Sequence, residues 1–113
     1  MTVYVDDMYL YPMGALGRMK MSHMVADTTQ ELVAMAALIG VQPKWIQRAG
    51  TAREHFDIAQ SKREIALANG AVAVTLRQCS AMCARRRVEG ALGRPEEAQA
   101  WHSLYLAQCE VTE

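Results

Sequence analysis

Two short segments of this 113-residue sequence carry side chains suited to metal binding or acid–base chemistry. His55 and Asp57 are two residues apart in "REHFDIAQ", and Asp6 and Asp7 are adjacent in "VYVDDM". Imidazole and carboxylate groups together hold a divalent cation or transfer protons at neutral pH. If the two segments face each other across a crevice, we expect such chemistry there. If they do not, His55 and Asp57 are ordinary polar loop residues.

The two adjacent aspartates are expected to have different roles. Side chains alternate along a strand, so Asp7 shares a face with Val3 and Val5, whereas Asp6 shares the face of Tyr4. We therefore expect Asp7 to face the crevice and Asp6 to bond backbone N–H groups.

His23 belongs to an alternating run, "MKMSHMV", in which Met19, Met21 and Val25 share its face. A histidine on such an apolar face is typically a core residue with a satisfied ring.

The elements that must position these residues follow from local patterns. Short runs of β-branched, aromatic or alternating apolar residues predict four strands, at 2–5, 19–25, 43–47 (around Trp45) and 71–75. Capping-box patterns at Thr28–Glu31 and Ser61–Glu64, closed by Gly40 and Gly70, predict two helices, and further helices follow from residue 76 onwards. We expect an α/β domain of two or three layers, with a mostly parallel sheet of about four strands and C-terminal helices.

Length and composition limit the class of protein. A chain of 113 residues supports a single domain, and no apolar run approaches the roughly 20 residues that span a bilayer. Without a secretion signal at the N-terminus, we expect a cytoplasmic protein that does not contact membranes. Cys79 and Cys83, four apart in a helical context, favour packing on one helix face over a disulfide or zinc site.

The loop predicted at 47–60 carries His55 and Asp57 beyond the end of a strand, where open α/β sheets bind ligands. Lys62 and Arg63 then lie in the first turn of a helix, an unfavourable position for positive charge. Their position favours an anionic ligand or a carboxylate partner, and a solvated helix end is the equal alternative.

Charge is unevenly distributed although the formal net charge is +0. Residues 77–94 have a local charge of +4, and residues 95–113, which include Glu113, have −4. The two segments either lie side by side and neutralise each other, or expose a basic patch for phosphates. Nucleic-acid binding through Arg85–Arg87 is an open alternative, and a solvated helix face is the simpler interpretation.

Several segments together resemble a bacterial and phage family, domain-of-unknown-function family 4031. They are "YVDDM", "GRMKMSHMVADT", the tryptophan of "PKWIQ", "HFDIAQSKR" and "NGAVAVT", in family order over residues 1 to about 87, with 88–113 as a C-terminal helical extension. The resemblance carries no established activity. It implies that a set of polar positions acts together: Asp6, Asp7, Arg18, His23, Asp27, His55, Asp57, Ser61, Lys62 and Arg63. Phe56 departs from the tyrosine that many relatives carry there.

Two functions remain open at the level of sequence. The first is an enzyme that acts on a phosphorylated substrate, a nucleotide or a nucleic-acid end, with a divalent cation as the candidate cofactor. Its predicted catalytic residues are Asp7, His23, His55 and Asp57, and its predicted substrate-binding residues are Arg18, Trp45, Ser61, Lys62 and Arg63. The second is a non-catalytic phage-type protein that inhibits a host protein or sequesters a small ligand.

Overall fold

The computed structural model describes residues 1–111, and in it strands and helices follow each other irregularly along the chain. The five strands are β1 (Val3–Val5), β2 (Ala15–Leu16), β3 (Met19–Ala26), β4 (Phe56–Ala59) and β5 (Val72–Ala73). The four α-helices are α1 (Thr29–Ile39), α2 (Gln60–Ala68), α3 (Leu76–Glu89) and α4 (Pro95–Val111). Short 3-10 turns lie at Met8–Leu10, Pro12–Gly14 and Pro43–Trp45. No helix within residues 1–111 has the length and apolar character needed to cross a bilayer.

The sheet is mixed. Strand β3 pairs antiparallel with β1, β2 and β4, and β1 pairs parallel with β5. The α/β prediction is confirmed, but the prediction of a mostly parallel sheet of about four strands is wrong. Between β1 and β3 the chain has only two 3-10 turns and the short β2, and no crossover helix. A parallel connection needs such a crossover, so the chain returns antiparallel instead.

The strand predicted around Trp45 is absent. Residues Pro43–Trp45 form a 3-10 turn, because proline fixes φ and has no N–H for a ladder. Strand β4, which also pairs with β3, lies instead inside the segment predicted as a loop. Phe56 and Ile58 are buried and alternate with half-buried residues, the pattern of a strand with one apolar face.

Helices cover both faces of the sheet, so the domain has three layers. One apolar cluster joins the sheet to α1 and α2 and includes Val5, Met24, Leu32, Phe56 and Ala66. The second joins the opposite face to α3 and α4 and includes Tyr4, Val25, Cys79, Met82 and Ala98. Alternation along β3 places His23 on the same face as Val25, under α3 and α4.

Helix caps agree in part with the sequence patterns. The Thr28 side chain accepts from the Glu31 N–H at the start of α1, and Gly40 ends that helix in the left-handed region with φ 84°. The capping box predicted at Ser61 is wrong, because β4 runs directly into α2 and the N-cap position falls on Ala59. A reciprocal capping box occurs instead at Thr75, which starts α3.

The C-terminal extension holds the end of α3 and all of α4 within residues 88–111, and Glu113 lies outside the described residues. Arg85 pairs with Glu89 at 3.1 Å and with Glu97 at 3.6 Å, so the basic and acidic segments meet here. Arg86 donates to the backbone carbonyls of Ala26 and Ala52. The solvated helix face predicted for Arg85–Arg87 therefore holds only for Arg87, which is exposed.

Candidate functional site

Two histidines and an aspartate meet on the sheet face covered by α3 and α4. His23 on β3 lies directly opposite Asp57 on β4 in the antiparallel register, and His55 precedes Asp57 by two residues on the same face. One potential ligand atom of each residue lies within 4.8 Å of the others. Asp57 Oδ1 lies 3.4 Å from His55 Nε2 and 3.8 Å from His23 Nε2. We call these three residues the histidine–aspartate cluster.

Asp6 fixes the orientation of His23 from behind. Its side chain is fully buried, and its Oδ2 lies 2.7 Å from His23 Nδ1. Its Oδ1 accepts hydrogen bonds from the backbone N–H groups of Met8 and His23, at 3.1 and 2.9 Å. A buried carboxylate on Nδ1 makes this nitrogen the protonated one, so Nε2 of His23 faces the cluster with its lone pair.

The other two members of the cluster are held in the same way. His55 Nδ1 lies 2.6 Å from the carbonyl oxygen of Arg53, and the Gln47 amide donates to Asp57 Oδ2 at 2.6 Å. A β-bridge between Gln47 and His55 supports both contacts. Asp57 Oδ1, which points into the cluster, is buried without a hydrogen-bond partner.

The charges in the cluster influence each other. The Asp57 carboxylate raises the pKa of His55 above its usual range, because its attraction for the protonated ring outweighs the desolvation of the ring. The same contact lowers the pKa of Asp57. This pair thus favours a protonated His55 next to an ionised Asp57.

A cavity of about 710 Å³ opens over His23 and His55, between the sheet and helices α3 and α4. Its lining includes three arginines: Arg53, Arg77 and Arg87. Within residues 1–111 none of these three guanidinium groups has a carboxylate partner, whereas Arg85 pairs with two glutamates. The cavity is thus lined by three arginines and by the two imidazoles of the cluster.

Cys83 also lines this cavity, one helical turn after the buried Cys79. A hydrogen bond from Cys79 lowers the pKa of Cys83 to about 7, with smaller contributions from Arg86 and the nearby histidines. Burial and the neighbouring Cys83 raise the pKa of Cys79 well above its usual value. The sequence prediction that the two cysteines share one helix face agrees with these positions.

Other predicted site residues have structural partners outside the cluster. Asp7 Oδ1 accepts from the Leu76 N–H at 2.6 Å and so joins the end of β1 to the start of α3. Arg63 donates to the Asp6 carbonyl at 2.8 Å. Lys62 Nζ lies 3.0 Å from the position that a Cβ would take on Gly40, at the end of α1, where a positive charge is favourable. These contacts give both cations of the first turn of α2 neighbours within the chain, and their substrate-binding role stays a prediction.

Arg18, Trp45 and Ser61 are exposed and are not among the residues that line the cavity. Their substrate-binding role stays a prediction.

Sequence reasoning missed Asp6 as the partner of His23, and it missed Gln47, Arg53 and Cys83. The sequence did contain a signal for Asp6. Alternation places Asp6 on the Tyr4 face of the first strand, and it places His23 on the Val25 face of the strand at 19–25. The missing information was the antiparallel pairing of β1 with β3, which brings those faces together.

The sequence model of a family described as "Protein of unknown function (DUF4031)" matches residues 3–86 of the chain. No curated protein and no solved structure matches it significantly.

Proposed function

The chain belongs to the family described as "Protein of unknown function (DUF4031)", and we propose that it is an enzyme acting on a phosphorylated substrate, a nucleotide or a nucleic-acid end. One observation carries the proposal: His23 and His55 of the histidine–aspartate cluster line one cavity together with three arginines that have no carboxylate partner within residues 1–111. Catalytic groups and charge-stabilising groups must converge on a single reacting centre, and a pocket of this kind offers that convergence.

The arginines account for the substrate class. Guanidinium groups bind phosphate oxygens through paired, charge-assisted hydrogen bonds, and they stabilise the charge that spreads over these oxygens during phosphoryl transfer. Arg77 and Arg87 lie on α3 and Arg53 precedes β4, so the three would hold a phosphate from two sides. A neutral ligand would leave this positive charge uncompensated.

The cluster accounts for the chemistry. His55, with its raised pKa, would supply a proton to a leaving oxygen, and Asp57 stabilises that protonated state. His23, held by Asp6, would accept the proton of the attacking water through Nε2. Of the residues predicted as catalytic from sequence, His23, His55 and Asp57 take part in this scheme, and Asp7 would only position α3.

The test is turnover of a defined panel: nucleoside mono-, di- and triphosphates, and oligonucleotides with 5′- or 3′-phosphates, followed by ³¹P NMR. We expect at least one member to react, and we expect His55→Gln to lower kcat while Arg77→Ala chiefly raises KM. Absence of turnover across the panel, or equal rates in wild type and His55→Gln, would contradict the proposal.

A second function, a protein that binds and inhibits a host protein, is supported by a different surface. The segment 10–19 exposes five large apolar side chains, which we call the 10–19 patch: Leu10, Tyr11, Met13, Leu16 and Met19. Leu16 and Met19 lie opposite each other in the β2–β3 pairing. Exposed methionines adapt to partner surfaces, and a contiguous apolar patch is typical of a protein-binding site.

This second function is tested with a pair of variants. Leu16→Asp should abolish capture of a protein partner from host lysate and leave cavity ligands unaffected. His55→Gln should have the opposite pattern. If Leu16→Asp captures the same proteins as wild type, the 10–19 patch is not a docking surface.

A further inference from the structure

We propose that the histidine–aspartate cluster binds one divalent transition-metal ion through Nε2 of His23, Nε2 of His55 and Oδ1 of Asp57. The inference deepens the proposed function by naming the cofactor of the same cavity. In the metal-bound state both Nε2 atoms are ligands and cannot transfer protons, so the chemistry that the ion would supply there is activation of the attacking water. The inference rests on that function only for the role of the ion in turnover, because the ion would bind whether or not a substrate reacts.

The first argument is the direction of the six polar atoms. The outward atoms all have partners: His23 Nδ1 has Asp6, His55 Nδ1 has the Arg53 carbonyl, and Asp57 Oδ2 has the Gln47 amide. Metal-ligating histidines typically donate their second N–H to a carboxylate or a backbone carbonyl, which fixes the tautomer and the ring orientation. Here both histidines have this arrangement, so both Nε2 atoms present lone pairs to the same point.

The second argument is the state of the inward oxygen. Asp57 Oδ1 is buried without a hydrogen-bond partner, and its 3.4 Å and 3.8 Å distances to the two Nε2 atoms are longer than ordinary hydrogen bonds. A buried carboxylate oxygen that accepts no hydrogen bond is costly. A cation bound among the three atoms removes this cost.

The third argument is size. Ligand bonds of about 2.1 Å arranged tetrahedrally place neighbouring ligand atoms roughly 3.4 Å apart. The His55–Asp57 distance of 3.4 Å matches this value, and the His23–Asp57 distance of 3.8 Å exceeds it by an amount that a small rotation of the ring can close. Both imidazole–carboxylate distances are therefore close to those around a bound ion, and all three ligand atoms lie within 4.8 Å of one another.

Ligand chemistry selects the ion. Two imidazoles and one carboxylate suit Zn²⁺, Fe²⁺ and related ions, whereas Mg²⁺ prefers oxygen ligands alone. Three protein ligands also leave a coordination position open, which is the pattern of catalytic rather than structural metal sites. That open position would face the arginine-lined cavity, where the phosphate of the substrate would bind.

The experiment is calorimetric titration of metal-free protein with Zn²⁺ and, separately, with Mg²⁺. We expect saturable 1:1 binding of Zn²⁺ and none of Mg²⁺. Asp57→Asn and His55→Gln should each lose saturable Zn²⁺ binding, with folding checked by circular dichroism. Asp27→Asn, which changes an exposed aspartate outside the cluster and outside the cavity lining, is the matched control for Asp57→Asn and should bind Zn²⁺ as wild type does.

X-ray absorption of wild-type protein with one equivalent of Zn²⁺ tests the ligand set without any variant. We expect only nitrogen and oxygen neighbours at about 2.0–2.2 Å, two of them imidazole. No Zn²⁺ binding, unchanged binding in folded Asp57→Asn, or a sulfur shell at about 2.3 Å would overturn the inference. Zn²⁺ binding at the cluster without turnover of any phosphorylated substrate would instead overturn the proposed function alone. Turnover that survives complete metal removal would overturn the role of the ion as the cofactor of that turnover.

Discussion

Oδ2 of the fully buried Asp6 lies 2.7 Å from Nδ1 of His23, and this contact sets which nitrogen of the ring faces the cavity. An Asp6→Asn amide that still accepts from the backbone N–H groups of Met8 and His23 turns its NH₂ toward Nδ1. Nδ1 must then accept, and the ring proton moves to Nε2. We expect Zn²⁺ affinity to fall by about 10–100-fold, the usual effect of removing such an outer partner. Calorimetric titration measures it.

Asp7→Asn is the matched control for this substitution. Its side-chain oxygen can still accept from the Leu76 N–H, and Asp7 does not contact the cluster by any hydrogen bond in residues 1–111. If Asp7→Asn lowers Zn²⁺ affinity as much as Asp6→Asn does, the assignment of Asp6 as the orienting residue is wrong.

Removal of an arginine that lines the cavity should selectively weaken the binding of anions. Arg77→Ala and Arg87→Ala should each weaken binding of a phosphorylated ligand by at least about tenfold, because a hydrogen bond to a charged group contributes roughly 1.5–3 kcal/mol. Dissociation constants at two salt concentrations measure this, and binding should weaken as salt rises. Arg18→Ala is the comparison, since Arg18 is exposed away from the cavity lining. Equal losses in all three variants would move the substrate site toward Arg18.

The hydrogen bonds of Arg86 predict that its removal lowers the stability of the protein, although Arg86 has no direct role in binding. Its guanidinium donates to the Ala52 carbonyl at 3.0 and 2.8 Å and to the Ala26 carbonyl at 2.8 Å, joining α3 to the end of β3 and to the segment before β4. Arg86→Ala should lower the free energy of unfolding by about 1.5–3 kcal/mol, as measured by urea denaturation. Arg87→Ala, an exposed neighbour, should change it little, and a similar loss in both variants would refute this role.

Cys83 predicts a pH-dependent reactivity. Because only the thiolate reacts with iodoacetamide, a pKa of about 7 means that alkylation of Cys83 should rise through pH 7 and level off about one to two units higher. Cys79, whose pKa is raised, should stay unmodified over this range. Peptide mass spectrometry of a Cys109→Ser background resolves the two sites. Modification of Cys83 only at the pH of an ordinary cysteine, above about 8.5, would show that these neighbours do not lower its pKa.

Local patterns predicted the parts of the fold that depend on a few neighbouring residues. Alternation placed His23 on the face of Val25, and Thr28 and Gly40 marked the ends of α1. The strand at 71–75 was also located, although only Val72–Ala73 pair with β1. In each case, the residues that form the pattern lie within about one helical turn or one strand of the feature that they predict.

Strand pairing was not predictable in the same way. The direction of β3 relative to β1 depends on residues 6–18, and β4 was hidden because the loop prediction covered residues 47–60. His23 and Asp57 are 34 positions apart in the sequence and become neighbours only through the β3–β4 register. The candidate site thus forms only when the strands pair. For this reason the sequence could indicate His23, His55 and Asp57 as candidates, but it could not identify Asp6, Gln47 and Arg53 as their neighbours.

The most direct test of the account is a crystal structure of the protein grown with Zn²⁺ and inorganic phosphate, with anomalous data collected above the zinc edge. We expect one anomalous peak within about 2.0–2.2 Å of Nε2 of His23, Nε2 of His55 and Oδ1 of Asp57. We expect the phosphate between that ion and the guanidinium groups of Arg77 and Arg87. A zinc ion bound elsewhere, or a phosphate held outside the cavity, would contradict the account.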